Sequence, residues 1–308
     1  MWARCPILPS APYNGLVQLR QALQSAIRQL EDARISEARL GAEVLAFHAF
    51  DCDRAFLFAH PEHEPTTDQL SRYTELVDRL AAGEPLQYLT GHQEFWKADF
   101  LVTPAVLIPR PETEHLVETA LELARRVLAC APERHPTTHH LKLIDVGTGS
   151  GAIAISLARE LPEAEVWAVD LSPEALEVAC ENTRRLGASV QFAESDVLAA
   201  IPRDASFDFV VSNPPYVGHN EADKVQEVVK RYEPQMAVFA GDEGLDIIRR
   251  LIPQSREALR PGGWLLIEIG YTQSERVMAL LEGWDQVHSV ADLAGIPRVI
   301  VARKPEQH

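Results

Sequence analysis

The sequence has no long apolar run and no paired cysteines. Nowhere do its 308 residues contain eighteen apolar residues in succession, the length at which a membrane-spanning helix is expected. The start of the chain has too short an apolar run for a signal peptide. Four cysteines, Cys5, Cys52, Cys130 and Cys180, are scattered, with no C-x-x-C pair and no histidine at metal-ligand spacing. These absences predict a cytoplasmic protein with reduced thiols, no membrane segment and no metal site.

Basic residues are also scarce. The 29 Lys and Arg residues are outnumbered by 45 Asp and Glu residues, which gives a net charge of −16. Free DNA or duplex RNA would be repelled unless one face were locally basic. The composition, 46% hydrophobic and 24% charged, is that of a globular chain whose length allows two domains. We therefore expect a folded protein that does not contact nucleic acid directly.

The N-terminal part has the periodicity of helices. Apolar residues recur at steps of three and four from Leu19 to Leu30, which indicates one buried helix face. A second helix is predicted over 36–50, with Ser36 as its N-cap and Leu40 on its inner face. A third is predicted over 68–82. Together they predict a small helical domain without catalytic groups.

The rest of the chain divides into a linker and an α/β domain. Aromatic and β-branched residues alternate with polar ones after Pro85, which predicts a β-hairpin linker over 85–111. From 112 to 308 short apolar strands alternate with helices, so we expect a mostly parallel sheet with helices on both faces. Residues 1–84 would then form the helical domain. The predicted strands are LKLIDV (141–146), EVWAVD (165–170), SVQFAE (189–194), FDFVVS (207–212), WLLIEI (264–269) and RVIVAR (298–303).

A glycine-rich turn follows the first of these strands. Gly147, Thr148, Gly149, Ser150 and Gly151 lie between the strand and the helix that begins AIAIS. Glycines allow a tight turn and close approach of a ligand, while the helix N-terminus offers unpaired N–H groups. The dinucleotide-binding fingerprint would need a further glycine, which is absent here. The turn alone would also suit another nucleotide site or a purely structural βα connection.

Acidic residues follow the next two strands. Asp170 ends the second strand, where its carboxylate can accept hydrogen bonds from both ribose hydroxyls of an adenosine. Asp196 follows the third strand. Its carboxylate is equally suited to an adenine amino group and to capping a helix. The carboxyl ends of three neighbouring strands thus carry polar groups, which is where ligands bind in such sheets.

The strand FDFVVS leads into Asn213, Pro214, Pro215 and Tyr216. The prolines fix φ and lack N–H groups, so this segment is stiff and rich in acceptors. The side-chain oxygen of Asn213 and the carbonyl of Pro214 can each accept one hydrogen of an NH₂ group, and Tyr216 can stack on the planar group that carries it. Such a clamp would orient a weakly nucleophilic nitrogen for attack. The alternative is a rigid turn that only terminates the strand.

These motifs carry a family resemblance. The pattern D-x-G-x-G-x-G resembles the glycine loop of class I S-adenosylmethionine methyltransferases, and N-P-P-Y resembles the motif of enzymes that methylate DNA adenine or protein glutamine. The run LIPRPETE (107–114), preceded by PLQYLTGHQEFW (85–96), closely resembles the protein-(glutamine-N5) methyltransferases of peptide chain release factors, the HemK/PrmC family. The likeness continues through YEPQMAVFAGDEGLD (232–246) and LAGIPRVIVARK (293–304).

The resemblance implies methyl transfer from S-adenosylmethionine to the glutamine of the Gly-Gly-Gln loop of class I release factors, with S-adenosylhomocysteine as product. It further implies a monomer. Because the catalytic pocket would be small compared with a protein substrate, we expect the exposed face of the helical domain to dock the release factor. Arg110 and Glu112 would either line the entrance to the site or form a Pro-bounded hinge. The implied cofactor residues are Gly147 to Gly151, Asp170, Asp196, Val197 and Asn213, the glutamine is bound by Asn213 to Tyr216, and the catalytic residues are Asn213, Pro214 and Tyr216.

Three alternatives stay open at this stage. A sister family methylates a large-subunit ribosomal protein and has a similar NPPY, but usually a different run after I-P-R, so PETE favours the release factors. A nucleic-acid amino methyltransferase would need a basic surface, which the net charge of −16 disfavours. A non-catalytic cofactor-binding protein would not need the NPPY clamp. Relatives often carry a large aromatic residue where this chain has Val197, beside the adenine.

Overall fold

The structure is a computed structural model that describes residues 17–130, 140–202 and 205–306. Its contacts divide the chain into two compact units, Met1–Thr90 and Gly91–His308. The division lies later than the boundary we predicted after residue 84, because Leu86–Thr90 forms a short helix of the first unit rather than part of a hairpin. Among the described helices, none combines the length and the apolar character needed to span a membrane.

The first unit is a bundle of helices around one apolar core. Leu19, Leu30 and Leu45 are fully buried in it. Tyr73 is also buried, and its hydroxyl donates to the carbonyl of Ala42 at 3.0 Å, so its polar end is satisfied. The helices of this unit are α1 (Leu19–Asp32), α2 (Ala38–Phe50), α3 (Arg54–Ala59), α4 (Thr67–Ala81) and α5 (Leu86–Thr90).

Helix α2 differs from its prediction at both its start and its face. It begins at Ala38, and its N-cap residue makes no side-chain capping bond, so the role given to Ser36 was wrong. Leu40, expected to face inward, is 49% exposed. Small residues, among them Gly41 and Ala42, occupy much of the buried face beside Leu45 and Phe50. A Cβ added at Gly41 would lie 2.9 Å from Cδ2 of Leu80 in α4. Close packing of two helices selects small side chains there, which a search for large apolar residues overlooks.

The second unit contains a seven-stranded sheet in the order β5-β4-β3-β6-β7-β9-β8. The five strands β3 to β7 run parallel to one another. Strand β9 is antiparallel to β7, and β8 is antiparallel to β9, so the predicted mostly parallel sheet is confirmed. We did not predict β8, because its edge position leaves it polar and mostly exposed. The strands are β3 (Lys142–Val146), β4 (Glu165–Asp170), β5 (Gln191–Glu194), β6 (Phe207–Ser212), β7 (Leu259–Glu268), β8 (Asp285–Ala291) and β9 (Pro297–Arg303).

Helices cover both faces of this sheet. Alternate residues of β6 enter two different apolar clusters, Phe209 and Val211 on one face and Val210 on the other. All six residues of β6 are buried, as expected for a central parallel strand. The helices are α6 (Glu114–Cys130), α7 (Ala152–Glu160), α8 (Pro173–Leu186), α9 (Glu227–Tyr232), α10 (Gln235–Val238), α11 (Asp246–Ala258) and α12 (Ser274–Leu280).

The predicted hairpin forms over a shorter segment than 85–111. Strands β1 (His92–Phe95) and β2 (Ala98–Leu101) pair antiparallel through a two-residue turn. Both turn residues, Trp96 and Lys97, have positive φ, 47° and 60°. Such turns prefer Asn or Gly. Here Glu114 stabilises the turn by accepting from the backbone N–H of Trp96 at 2.8 Å.

Candidate active site

The carboxyl ends of β3 and β6 bring the two main motifs together. Val146 of β3 pairs in register with Ser212 of β6, whose hydroxyl donates to the Val146 carbonyl at 2.7 Å. The residues that follow, Gly147 and Asn213, therefore start about one strand spacing apart, roughly 4.8 Å. On the other side of β3, Val146 pairs with Val169 of β4. The glycine loop thus lies between Asp170 and the NPPY segment, at the edge of the sheet where we predicted the site.

The three glycines of the loop have positive φ, but they serve two purposes. Gly151 is the N-cap residue of α7, and a Cβ there would lie 2.8 Å from Cδ1 of Ile155 and 3.2 Å from Cβ of Ala179. Its role is close packing of helix against loop. A Cβ added at Gly147 or Gly149 would meet nothing within 4 Å. Because Gly147 and Gly149 carry no side chain, the space beside the backbone stays open at both positions. A ligand can therefore approach the backbone closely.

A buried carboxylate, that of Asp145, is hydrogen-bonded to the glycine loop and to the helix that follows it. Asp145 is 1% exposed, and its Oδ2 accepts from the Thr148 hydroxyl at 2.7 Å and from the Ala154 N–H at 3.3 Å. Burial raises the pKa of Asp145 to about 7, although both hydrogen bonds act in the opposite direction. Thr148 and Ser150 are themselves buried. Asp145 is the first residue of the D-x-G-x-G-x-G motif, and sequence reasoning did not assign it a role in the site.

Asp170 is oriented by the glycine loop. Its Oδ2 accepts from the backbone N–H of Gly149 at 2.8 Å, and its Oδ1 accepts from the N–H of Ser172 at 3.0 Å. Each carboxylate oxygen has a second lone pair, so this geometry is compatible with acceptance from ribose hydroxyls. The side chain is half-buried at the end of β4.

Asp196 makes an ion pair instead of capping a helix. Its Oδ2 accepts from Nη2 of Arg250 at 2.5 Å, and both side chains are nearly half exposed. The residues that follow form turns, so the helix-cap interpretation was wrong. Val197 is buried in the core beside α11 and has φ of 58°. A β-branched residue in this region is strained and occurs where surrounding structure imposes it. Its packing against an adenine stays a prediction.

The NPPY segment extends from the buried end of β6. Pro214 is buried, while Asn213, Pro215 and Tyr216 are partly exposed. Nδ2 of Asn213 donates to Oγ1 of Thr113 at 3.0 Å. Because that bond engages the amino end of the side-chain amide, the oxygen is the end left for a substrate hydrogen, as the clamp hypothesis requires.

Gln273 holds the other end of this segment. It is 3% exposed, and its Nε2 donates to the carbonyl of Tyr216 at 2.8 Å and to that of Gly244 at 3.2 Å. Its Oε1 accepts from the Gly270 N–H at 3.0 Å. A single buried amide therefore joins the NPPY segment to two loops. Sequence reasoning missed Gln273, since nothing near it in the chain marks it as different from a surface glutamine.

Tyr216 is an uncharged group in this site. Burial, with a smaller contribution from the Glu268 carboxylate, raises the pKa of Tyr216 to about 12. The phenol is therefore protonated at neutral pH. It can stack on a planar group or donate a hydrogen bond, but it is not a base.

Asn182 connects the β1–β2 hairpin to the glycine loop. It is fully buried in α8, where its Oδ1 accepts from the Leu101 N–H at 2.7 Å. Its Nδ2 donates to the carbonyls of Leu101 and Ser150, each at 2.9 Å. All these bonds are to backbone, so Asn182 fixes the path of the loop. It was also missed, because a polar residue in an amphipathic helix is normally at the surface.

The segments that carried the resemblance contact each other. Nη2 of Arg110 lies 2.5 Å from Oε1 of the buried Glu233, and the Ile108 N–H donates to the other oxygen of that carboxylate at 3.2 Å. This ion pair fixes LIPRP against YEPQ. Glu112 is exposed. An entrance role for Arg110 and Glu112 stays a prediction.

Within the described ranges, no group of three or more His, Cys, Asp or Glu side chains is arranged to hold a metal ion. A glycine loop after the central strand, acidic residues at the neighbouring strand ends and the NPPY segment together define the class: a Rossmann-like methyltransferase that uses S-adenosylmethionine. Comparison with known proteins then specifies the family.

Two family models match the chain. The PrmC N-terminal domain matches residues 21–91, and the methyltransferase small domain matches residues 121–235. A release factor glutamine methyltransferase of Koribacter versatilis is 53% identical over 287 residues, covering 93% of this chain and 99% of that protein. One of Moorella thermoacetica is 43% identical over 294 residues, covering 94% and 99%. The chain therefore belongs to the release factor glutamine methyltransferase family.

Solved structures extend the likeness at the level of the fold. The catalytic domain of hMettl16, crystallised with MAT2A 3'UTR hairpin 6, superposes with a TM-score of 0.50 at 16% identity. The match covers 76% of this chain and 81% of that one. The predictions of the family, of an α/β methyltransferase fold with an N-terminal helical domain, of enzymatic activity and of S-adenosylmethionine as cofactor are confirmed.

Proposed function

We propose that this enzyme transfers a methyl group from S-adenosylmethionine to the N5 side-chain nitrogen of the glutamine in the Gly-Gly-Gln loop of class I peptide chain release factors. The observation that carries the proposal is the orientation of Asn213. Its amino end donates to Thr113, which leaves the oxygen as the end that can accept from a substrate, and Asn213 follows the strand next to the one that leads into the glycine loop. An acceptor at that position suits an amide NH₂ group. The names of the relatives from Koribacter and Moorella support the same substrate.

The residues present fit S-adenosylmethionine. The open space at Gly147 and Gly149 lets a ligand approach the backbone, and Asp170, fixed by Gly149, offers carboxylate oxygens for ribose hydroxyls. Asn213 follows the adjacent strand. When bound, the cofactor supplies an electrophilic methyl group on a sulfonium.

The chain's own residues compensate for the poor nucleophilicity of an amide nitrogen by positioning and polarising it. Its lone pair is delocalised into the carbonyl, so it must be positioned and polarised. The Asn213 oxygen and the Pro214 carbonyl each accept one N–H, which holds the planar amide and shifts electron density onto nitrogen. Tyr216, a neutral phenol, stacks on the amide and excludes water. In the overall change the amide nitrogen gains the methyl group as its bond to the sulfonium sulfur breaks, the nitrogen releases one proton to solvent, and S-adenosylhomocysteine is left as the neutral thioether product.

Methyl transfer from labelled S-adenosylmethionine to a purified bacterial release factor tests this function. The variant of the factor with its Gly-Gly-Gln glutamine changed to alanine and a large-subunit ribosomal protein serve as controls. We expect label on the unmodified factor only. Label on the ribosomal protein instead would place the substrate in the sister family, and label on none of the proteins would contradict protein glutamine methylation.

We also propose that the helical unit docks the release factor, because a single amide clamp is small compared with a folded protein substrate. Removal of residues 1–90, the first of the two compact units, is expected to lower the rate of methyl transfer to the whole release factor more than the rate of methyl transfer to a short Gly-Gly-Gln peptide. The peptide reaction serves as the control for a folded catalytic unit. Equal losses on both substrates would contradict docking.

The remaining features proposed are a cytoplasmic location, a monomeric state and no direct contact with nucleic acid. The net charge of −16 supports the last of these. Light scattering of the purified chain would reject the monomer if it gave twice the chain mass, and a gel-shift with ribosomal RNA that persists at physiological salt would reject the absence of nucleic-acid binding.

A further inference from the structure

Two buried polar side chains, those of Glu268 and Thr113, lie beside Asn213 at the start of the NPPY segment. Glu268, at the end of β7, is 2% exposed, and hydrogen bonding by the Thr113 side chain lowers the pKa that burial of this carboxyl raises. Thr113 is 4% exposed and accepts from Nδ2 of Asn213 at 3.0 Å. The second carboxylate oxygen of Glu268, Oε2, has no partner among the described residues. A buried carboxylate that is only partly satisfied is destabilising, so its presence needs a reason.

The direction of the hydrogen bonds supplies that reason. An ionised carboxylate has acceptors only, so the Thr113 hydroxyl must donate to Glu268. The lone pairs of the same oxygen are then available to Asn213, whose side chain can satisfy them only with its NH₂ end. The Asn213 oxygen is consequently turned to the opposite side, toward the position proposed for the glutamine amide.

We propose that Thr113 and Glu268 are positioning residues that fix the Asn213 side-chain amide with its oxygen toward the substrate. This inference rests on the proposed function. Without the ionised carboxylate of Glu268 as its acceptor, the Thr113 hydroxyl could donate to the Asn213 oxygen instead. The amide would then turn over and present NH₂ to the substrate NH₂, two donors that cannot bond. The PETE segment thereby gains a role, since Thr113 belongs to it.

The arrangement makes the orientation dependent on pH. Burial raises the pKa of Glu268 to about 7. Among the charged groups around it, Glu112 acts in the same direction, while Arg298 and Arg110 act against it. Tyr216 is neutral in this range. Because the ionised form orients Asn213, methyl transfer should be full above pH 7 and should fall as pH drops through that value.

Two substitutions at Thr113 test this relay, by which we mean the hydrogen-bonded series from Glu268 through Thr113 to Asn213. Thr113→Val keeps the shape and removes the hydroxyl, whereas Thr113→Ser keeps the hydroxyl and is the matched control. We expect Thr113→Val to lower kcat on the release factor by about 10- to 100-fold, the effect of one lost buried hydrogen bond at a reacting group. KM should change little, and Thr113→Ser should retain most of the wild-type kcat. An unchanged kcat in folded Thr113→Val would overturn the inference.

Glu268→Gln separates positioning from support of the fold. The amide introduced by this substitution would be able to donate, so the direction of the hydrogen bonds is no longer fixed. We expect kcat to fall and its dependence on pH below 7 to become weaker than in the wild type, although Asp145, whose pKa is also raised to about 7, is unchanged. Its melting temperature at pH 8 should be equal to or above the wild-type value, because a neutral group replaces a buried charge. A lower melting temperature with an unchanged pH profile would indicate a merely structural role.

The side-chain NH₂ signals of Asn213, observed by NMR with ¹⁵N-asparagine, provide a readout that needs no substrate. They should titrate with a midpoint near the pKa of Glu268 in the wild type and not in Thr113→Val. If the wild type does not label the release factor, the proposed function fails and this titration alone decides the relay. Labelling by the wild type together with a titration that persists in Thr113→Val would refute the relay and leave the function standing.

Discussion

Replacing Asn213 by alanine is expected to lower methyl transfer to the release factor by about 100- to 1000-fold, the loss typical of removing one preorganised hydrogen-bonding group at a reacting centre. The substitution removes the acceptor for one N–H of the substrate amide and leaves Thr113 without its donor. Affinity for S-adenosylmethionine should largely persist, because the glycine loop and Asp170 are untouched. Single-turnover rates and calorimetric binding of the cofactor measure the two effects separately.

Asn220→Ala is a suitable matched control, since this asparagine is exposed near the start of the short 3₁₀ helix His219–Lys224, which follows the same segment. It should behave as the wild type in both measurements. Turnover retained in Asn213→Ala would refute the clamp mechanism. A parallel loss of cofactor affinity and turnover would assign Asn213 to the cofactor site, the second role implied by the family resemblance.

The sequence alone was sufficient to predict the elements and site residues whose signal lies in a short stretch of the chain. Strand β6 was predicted with its observed bounds, because a continuous apolar run ends abruptly at Asn213. The glycine loop and Asp170 were likewise found from their place after strands. Short elements were missed for the opposite reason: α3 and α5 span one or two turns and depend on packing, and β8 lacks an apolar face.

The groups that support the site could not be found this way, because they act across long distances in the chain. Thr113 and Asn213 are 100 residues apart, and Asn182 and Leu101 are 81 apart. No local pattern distinguishes a buried amide that joins two loops from a polar residue at the surface. The run PETE was recognised by resemblance, whereas the reason for its threonine required the fold.

Replacing Gly244 by alanine is expected to disturb the site from the other side of the NPPY segment. Gly244 has φ of +72°, and a Cβ there would lie 2.1 Å from the carbonyl oxygen of Tyr216 and 2.9 Å from Nε2 of Gln273. The first contact is with backbone, so the NPPY segment itself must move. Displacement of a positioning group by about 1 Å can lower a rate by about 100-fold. We expect a kcat reduced to that extent, together with a lower melting temperature.

Gly187→Ala provides the control that isolates this contact. Gly187 also has positive φ, +65°, at the C-terminal cap of α8, but a Cβ there would meet nothing within 4 Å. Both substitutions therefore incur the conformational penalty of an alanine in the left-handed region, about 1–2 kcal/mol, and only Gly244→Ala adds a collision. Gly187→Ala should lose stability while its kcat stays at the wild-type value. If the two variants lose stability equally and both keep kcat, then Gly244 does not position the NPPY segment, and the bond from Gln273 to Tyr216 is sufficient to hold it in place.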